Sequence, residues 1–255
     1  MLSRNDISTI RSLQQKKYRS QTGMFVAEGP KLVSDLMGYF HCRLLAATEE
    51  WFKNNDRATA DRKEYVTRRE LEKASFLSTP QDVIACFDIP RNSLNLAEIS
   101  LHNLVLALDG IQDPGNLGTI ARIADWFGIH DIVCSAGTAD IFNPKSVQAT
   151  MGALARVRFH YTDLPKELSA LPEGIAVYGT FLDGKNMYRE NIPDNGNGIV
   201  VMGNEGNGIS PETGRYISHR LFIPNWPEGS KTSESLNVAV ATAVICAEFR
   251  RPKGI

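Results

Sequence analysis

The chain has 255 residues, of which 42% are hydrophobic and 22% charged, and its formal net charge at pH 7 is −1. This composition is typical of a globular protein with one large or two ordinary domains, and it excludes a disordered chain. No apolar run reaches the roughly 18 residues that span a bilayer, and the N-terminus lacks the apolar stretch of a signal peptide. We therefore expect a cytoplasmic protein without a membrane segment.

The charge is distributed unevenly along the chain. Residues 1–95 carry 15 Lys and Arg against 12 Asp and Glu, whereas residues 96–255 carry 13 against 17. Basic residues are densest in residues 1–31, where six of them meet only two acids. Such a cluster can contact the phosphates of a nucleic acid, and a solvated helix face explains it equally well.

The four cysteines lie far apart in the sequence and form no Cys-x-x-Cys pair. This spacing favours buried free thiols over a disulfide or a zinc site. We expect no bound metal.

The first 95 residues mix helical and strand patterns. The patterns, in chain order, are a basic amphipathic helix at 6–19, a strand at 23–29, a helix at 30–40 and strands at 42–48 and 82–89. They predict a small α/β domain over residues 1–95. The following stretch is rich in Pro, Ser and Asn, and residues 96–102 are interpreted as a linker.

From residue 103 onwards, short apolar runs alternate with helical patterns. The predicted strands are 103–109, 131–135, 155–161, 174–180, 198–204 and 219–224, and the clearest helices are 116–128, 143–154 and 234–251. Strands that are apolar throughout and alternate with helices indicate a mostly parallel six-stranded sheet that is covered on both faces. Such sheets bind ligands beyond the C-terminal ends of their strands, so the loops after Thr180, Met202 and Ile223 are candidates for a ligand site.

Three loops carry most of the polar residues that could take part in binding or catalysis. The first is "LDGIQDPGNLGTIARIADWFG" (108–128), in which Asn116 and Arg122 belong to an N-x-G-x-x-x-R pattern and Asn116 begins the predicted helix. From the residues alone, Asn116 is a helix cap or a ligand contact, and Arg122 is a surface charge or a functional group. The glycines do not form G-x-G-x-x-G, which counts against a dinucleotide-dependent enzyme.

The other two loops follow later strands. In "VVMGNEGNGIS" (200–210) an apolar strand ends in three glycines with Glu205 among them, a pattern that fits a ligand loop or a plain turn. In "IPNWPEGSKTSESLNVAVATA" (223–243), Ser235 and Asn237 are predicted in the first turn of a long apolar helix. The free N–H groups of such a turn attract an anionic group, and a simple capping role is the alternative.

In this order, the three motifs resemble those of the SpoU family of RNA ribose 2′-O-methyltransferases, within the SPOUT superfamily. The segment "NPKSVQATMGALARVRF" (143–159) resembles the family's sequence between its first two motifs. Residues 1–95, through "QKKYRSQTGMFVAEGPKLV" (15–33), resemble more loosely the family's N-terminal substrate-binding domain, which is related to ribosomal RNA-binding proteins.

The resemblance implies an α/β methyltransferase domain over residues 103–255, with a sheet threaded into a deep trefoil knot, and a homodimer formed through the C-terminal helix. The knot loops would bind S-adenosylmethionine through Thr180, Met202, Gly203, Asn204, Ile223 and Leu236. The implied catalytic residues are Asn116, Arg122, Glu205, Ser235 and Asn237. The candidate RNA contacts are the basic residues Arg11, Lys16, Lys17, Arg19 and Lys31, together with the basic end "RRPKG" (250–254).

Within that set, Arg122 is either a base or an orienter of the RNA phosphate and ribose. A guanidinium gives up its proton only with difficulty, which favours the second role, with Glu205 holding Arg122 or Asn116 in place. The substrate implied is ribosomal or transfer RNA, and the nucleotide is not defined. A non-catalytic RNA-binding and dimerisation module on the same fold is the alternative, and an unrelated nucleotide-binding α/β enzyme is a third.

The loop 225–234 is longer than is usual in the family. Its extra residues place Trp226 and Lys231 beside the expected cofactor pocket. This extension either influences the choice of RNA or has no functional effect.

Overall fold

The structure, a computed structural model, describes residues 1–193 and 196–251. Its strands are β1 (Met24–Glu28), β2 (Cys42–Ala47), β3 (Arg62–Tyr65), β4 (Val83–Asp88), β5 (Leu104–Asp109), β6 (Asp131–Ser135), β7 (Arg158–Thr162), β8 (Val177–Asn186), β9 (Gly198–Gly203) and β10 (His219–Phe222). Its α-helices are α1 (Arg4–Ser12), α2 (Lys16–Thr22), α3 (Pro30–Met37), α4 (Glu49–Asn54), α5 (Arg68–Ala74), α6 (Leu96–His102), α7 (Pro114–Trp126), α8 (Pro144–Ala149), α9 (Leu164–Ser169), α10 (Pro211–Gly214) and α11 (Val238–Phe249). Residues 252–254 of the basic C-terminal end lie outside the described residues.

The chain forms two compact units, and the first consists of Met1–Arg91 together with Asp140–Ala155. Its sheet has the strand order β1-β4-β2-β3, in which β4 runs antiparallel to both neighbours and β3 is parallel to β2. Side chains from α1, α5 and the sheet form one apolar core, which includes Ile10, Leu71 and Ile84. The sequence patterns did not reveal β3, α4 or α5.

Residues 140–155 belong to the first unit, although the sequence pattern places them in the second domain. Their helix α8 packs on β1, and Phe142 contacts Phe25 with ring centroids 5.1 Å apart. Asp140 forms a salt bridge with Arg19. A hydrophobic contact and a partly buried ion pair between distant segments therefore set this division, and neither is visible in the local sequence pattern.

The single helix predicted at 6–19 is wrong, because the segment forms α1 and α2 with a break at Leu13–Gln15. The Nη1 of Arg19 donates to the carbonyls of Leu13 (2.7 Å) and Gln14 (2.8 Å), which the end of α1 leaves without helical partners. The guanidinium thus stabilises the break.

Residues 96–102, interpreted as a linker, form helix α6 of the second unit. Asn95 caps this helix by accepting a hydrogen bond from the Glu98 N–H, and Leu96 is only 2% exposed. Leu96 packs in the same apolar cluster as Val105 and Ile199 of the sheet. The buried leucine explains why this polar-looking stretch is ordered.

The second unit consists of Asn92–Ala139 and Arg156–Ile255, with its last described residue at 251. The predicted parallel sheet is confirmed: six strands in the order β10-β8-β9-β5-β6-β7 all run parallel. Helices α6 and α9 contact strands of this sheet, while α11 contacts β9 and packs against α7. The C-terminal ends of the central strands therefore meet at one edge, where the three motif loops begin.

Strand β8 is longer than predicted, and its pairing with β10 is interrupted in the middle. Arg220 pairs with Gly179, but the next residue of β10, Leu221, pairs with Lys185. Residues 180–184 therefore project from the ladder at the sheet edge that carries the motif loops. A Cβ on Gly184 would lie 2.6 Å from the Leu221 carbonyl, so a glycine permits the close return of this strand.

No helix in the described part of the chain is long and apolar enough to cross a membrane. Within the same residues, no group of three or more His, Cys, Asp or Glu side chains is arranged to hold a metal ion. The four cysteines are free and buried, as the sequence spacing predicts.

Candidate active site

Helix α7 begins two residues earlier than the sequence pattern predicts. Asp113 is its N-cap, and its Oδ1 accepts a hydrogen bond from the Asn116 N–H at 2.7 Å. Pro114 occupies the first helical position, where a missing N–H costs nothing. The expectation that the helix begins with Asn116 as its cap is therefore wrong, and the Asn116 side chain is available for other contacts.

Three motif residues form a chain of hydrogen bonds. Asn237 Nδ2 donates to Asn116 Oδ1 at 3.0 Å, and Asn116 Nδ2 donates to Glu205 Oε1 at 3.0 Å. These residues follow β10, β5 and β9, so the chain connects all three loops. The predicted pairing of Glu205 with Asn116 is confirmed, while the alternative pairing with Arg122 is not made.

Both ends of this chain determine its direction. A carboxylate only accepts hydrogen bonds, so Glu205 requires the amide nitrogen of Asn116 to face it. At the other end, Asn237 Oδ1 accepts from the N–H groups of Ala239 (2.9 Å) and Val240 (3.3 Å), which leaves Nδ2 to face Asn116. The amide of Asn116 is thus held between a donor and an acceptor and cannot flip without losing both contacts.

Helix α11 begins at Val238, with Asn237 as its N-cap. The expectation that Ser235 and Asn237 both lie in its first turn is wrong, because the capping asparagine ends the loop just outside the helix. Ser235 is exposed in the preceding loop, and its side chain has no hydrogen-bond partner among the described residues. The structure thus brings Asn237 to the polar chain and leaves Ser235 apart from it.

Arg122 lies on the exposed face of α7, four residues before Trp126, whose side chain is 85% exposed. Residues four apart are neighbours on a helix surface, so this face presents a cation beside an aromatic ring. Within the described residues, the Arg122 side chain forms no hydrogen bond and no ion pair. Its guanidinium is free to bind an anion.

The glycine-rich loop is held to the end of β5 at both of its ends. Asn204 Nδ2 donates to the Gly110 carbonyl at 2.7 Å, and Asp109 Oδ2 accepts from the Ser210 N–H (2.8 Å) and Oγ (2.7 Å). A Cβ on Gly203 would overlap the backbone of the returning loop, so only glycine fits there. Glu205 therefore projects from a constrained turn.

A cavity of about 1000 Å³ lies beside this polar chain. All six residues predicted to bind a cofactor line it: Thr180, Met202, Gly203, Asn204, Ile223 and Leu236. Of the predicted catalytic residues, Glu205 and Ser235 also line it, whereas Asn116, Arg122 and Asn237 do not. Its volume is at the upper end of the range for small-molecule sites.

Several lining residues escaped the sequence interpretation. Phe181 and Leu182 belong to the segment that leaves the β8 ladder, and Val238 and Ala241 come from α11. Phe181 also packs under Arg220, whose Cζ lies 3.5 Å from the ring centroid. An interruption of a strand ladder leaves no mark in a local apolar pattern, so no sequence signal pointed to Phe181 and Leu182.

The predicted RNA-binding residues differ in their accessibility. Arg19 is 2% exposed, and its donors contact Asp140, Leu13 and Gln14, so the structure removes it from the RNA-binding set. Arg11 is exposed but donates to the carbonyls of Lys73 and Ser75, and Lys31 pairs with Asp35 at 2.7 Å. Lys16 and Lys17 are exposed and have no ion-pair partner among the described residues.

A parallel sheet with a large cavity and a polar chain beyond its C-terminal edge defines the class: an α/β protein built to bind a small ligand next to a reactive polar group. The family model of the SpoU rRNA methylase family matches residues 103–247, and that of the MRM3-like substrate binding domain matches residues 4–85. The chain therefore belongs to the SpoU rRNA methylase family.

Individual relatives agree with this assignment. The 23S rRNA (guanosine(2553)-2′-O)-methyltransferase RlmP of Bacillus subtilis is 31% identical over 94% of each chain. A TrmH-family protein from Porphyromonas gingivalis is 42% identical, with a TM-score of 0.90 over 98% of this chain and 99% of that one. An AdoMet-bound rRNA methyltransferase from Sinorhizobium meliloti is 29% identical, with a TM-score of 0.82 over 98% and 97%.

Proposed function

We propose that this protein transfers a methyl group from S-adenosylmethionine to a ribose 2′-hydroxyl of RNA. One observation carries the proposal: the hydrogen-bonded chain Asn237–Asn116–Glu205 ends at a cavity that all six residues predicted to bind the cofactor line. The membership of the SpoU family and the names of the relatives support the same reaction.

The chemistry of the cavity fits this cofactor. Its apolar residues, among them Met202, Ile223 and Leu236, suit an adenine ring. The carboxylate of Glu205 suits the positive charge of the cofactor. Bound there, the cofactor supplies an electrophilic methyl group.

The reaction requires a ribose oxygen in line with that methyl group. The cofactor would supply its methyl group to the 2′-oxygen and would leave as a neutral thioether, and the hydroxyl proton would pass to water. Arg122 stays protonated and orients the RNA by binding a phosphate beside the target ribose. Glu205 and Asn237 hold Asn116, which orients the ribose, and Ser235 contacts the cofactor. Most of the acceleration comes from this alignment.

We infer that the first unit, which contains most of the predicted N-terminal domain 1–95, supplies the RNA contact. Its exposed Lys16 and Lys17 are the strongest candidates, since they lack ion-pair partners among the described residues. The substrate is a structured RNA of the cytoplasm, and 23S ribosomal RNA is the first to test, because it is the substrate named for the Bacillus subtilis relative.

The proposal includes a homodimer and a trefoil knot in residues 103–255. Helices α7 and α11 pack together, and each exposes an apolar side chain: Trp126 (85%) and Val240 (51%). We infer that both side chains are covered in the dimer. A protein that sediments as a monomer at micromolar concentration would contradict the dimer.

Two measurements test the reaction. Calorimetric titration should detect binding of S-adenosylmethionine, and no binding at high micromolar ligand would favour a non-catalytic RNA-binding module. Arg122→Ala should abolish methyl transfer to unmodified RNA while the cofactor affinity stays within about twofold, because Arg122 does not line the cavity. Loss of both methyl transfer and cofactor binding would mean that Arg122 has a structural role.

A further inference from the structure

The loop between β10 and α11, residues 225–234, is folded by its own side chains. Asn225 Nδ2 donates to the Ser230 carbonyl (2.5 Å) and Oγ (3.3 Å), while the Gly229 N–H donates to Asn225 Oδ1 (3.2 Å). The Ser230 N–H donates to the Pro227 carbonyl at 3.0 Å. A single asparagine side chain thus closes the turn, as is common for this residue type.

The same turn is attached to the end of β8. Glu228 pairs with Arg189 at 3.1 Å, and Arg189 ends a short 3-10 helix that begins at the fully buried Met187. An exposed ion pair contributes little energy, but it restricts where the turn can lie. This ion pair therefore links the turn to the segment that follows β8.

This folded loop presents an aromatic ring and a cation at the cavity. Trp226 lines the cavity and is 92% exposed, so its ring lies at the mouth rather than in the interior. Lys231 is the one cationic side chain among the described residues that line the cavity. Other apolar residues of the cavity are available to contact the cofactor. The exposed ring of Trp226 is therefore available to contact another group.

We propose, on the basis of the function proposed above, that residues 225–234 form an RNA-reading arm. Trp226 stacks on an unpaired nucleobase next to the target ribose, and Lys231 pairs with a neighbouring phosphate. Unpaired RNA bases are commonly recognised by stacking on aromatic side chains, which stabilises binding by ~1–3 kcal/mol per base. The arm thereby contributes to the choice of RNA.

Methyl transfer to an unmodified 23S ribosomal RNA transcript tests the tryptophan. Trp226→Ala should lower kcat/KM for the RNA by about 10- to 100-fold. The Kd for S-adenosylmethionine should stay within about twofold, and the thermal midpoint should not change. Trp226→Phe should keep most of the activity, because it keeps an aromatic face. Leu101→Ala is the matched control, since Leu101 is an apolar side chain 54% exposed on α6 and does not line the cavity.

The lysine is tested by the salt dependence of binding to the same transcript. Lys231→Ala should reduce the slope of log K against log salt by about one, which is the expected effect of losing one phosphate contact. Lys231→Arg should retain the slope of the unmodified protein.

Two results would overturn the RNA-reading arm. If Trp226→Ala weakens cofactor binding as much as it weakens methyl transfer, Trp226 covers the cofactor instead. If kcat/KM for RNA is unchanged, the loop is an extension without a role in recognition. Quenching of the Trp226 fluorescence by the transcript, taken as the difference between the unmodified protein and Trp226→Phe, tests stacking without turnover. If the protein without substitutions fails to transfer methyl groups, the proposed function is contradicted. Stacking of Trp226 on the RNA can still be measured by fluorescence in that case.

Discussion

The two edges of the parallel sheet carry polar clusters of opposite design. At the C-terminal edge, Asn116, Glu205 and Asn237 form a linear chain in which Glu205 and Asn237 are exposed. At the N-terminal edge, Asp131 receives two hydrogen bonds from Arg158 (2.8 and 2.6 Å) and one from His160 (2.8 Å). The side chains of Asp131 and His160 are each only 4% exposed.

The difference separates a cluster that stabilises the fold from one that can bind a substrate. Asp131 uses both carboxylate oxygens within the unit, and burial of a charge is tolerated only with such partners. Burial raises the pKa of Asp131, but hydrogen bonds and charges from His160 and Arg158 outweigh it and leave the pKa at about 2. Glu205, by contrast, accepts one hydrogen bond through Oε1 and keeps the capacity to accept others.

The largest expected effect concerns Glu205. Glu205→Ala should lower methyl transfer by about 100-fold or more, because Asn116 loses the acceptor that sets its orientation and small errors of alignment are costly. The thermal midpoint should change little, since Glu205 is exposed. Glu234→Ala is the control, as Glu234 also lines the cavity but makes no contact with the chain. An equal loss of methyl transfer in both variants would indicate that the negative charge of the cavity is important and that the hydrogen-bond chain is not.

Asp131→Asn should produce the opposite pattern. The substitution weakens the contacts to Arg158 and His160 in a buried place, so the free energy of unfolding should fall by about 1–3 kcal/mol. The thermal midpoint should fall by several degrees for a chain of this size, with kcat unchanged below the transition. Asp125→Asn, which breaks a more exposed pair with Arg156, should cost less than about 1 kcal/mol. A comparable loss of stability in both variants would contradict the expectation that the buried ion pair contributes more than the exposed one.

Asn237 contributes to both stability and orientation, and two substitutions separate these roles. Asn237→Asp keeps the acceptor that caps α11 but places a second carboxylate against Asn116, so methyl transfer should fall about tenfold with little change in unfolding. Asn237→Ala should lose the cap as well, at about 1 kcal/mol of stability. If the aspartate variant transfers methyl groups normally, the direction of the hydrogen-bond chain is unimportant.

The smallest effect concerns pH. Because the pKa of Asp131 is lower in the folded protein than in the unfolded chain, the unfolded state binds more protons between about pH 4 and pH 2. The stabilisation by Asp131 is therefore complete above the unfolded pKa and is lost as the pH falls through about 2. Between pH 5 and 8, chemical denaturation should show no contribution of Asp131 to the pH dependence, and Asp131→Asn should flatten the acid limb. An unchanged acid limb would contradict the lowered pKa.

Much of the site was predictable because its residues lie in local motifs. Thr180, Met202 and Ile223 lie at the ends of predicted apolar strands, and the ends of parallel strands meet at one edge, so their shared cavity follows from strand order. The start of α7 was misplaced because Asn116 and Asp113 are both good capping residues, and the proline after Asp113 decided between them. Arg19 was interpreted as an RNA contact because a sequence pattern cannot show that its guanidinium is buried against Asp140.

The sequence alone determined the parallel sheet, the loops that bear the site and the resemblance to the SpoU family, because periodicity and motif spacing are local properties of the chain. The tertiary structure alone decided which side chains touch. Glu205 and Asn116 are 89 positions apart and Asn237 and Asn116 are 121 apart, so their hydrogen bonds depend on how the strands are ordered in the sheet. The place of residues 140–155 in the first unit has the same cause, since it rests on contacts with segments more than a hundred residues away.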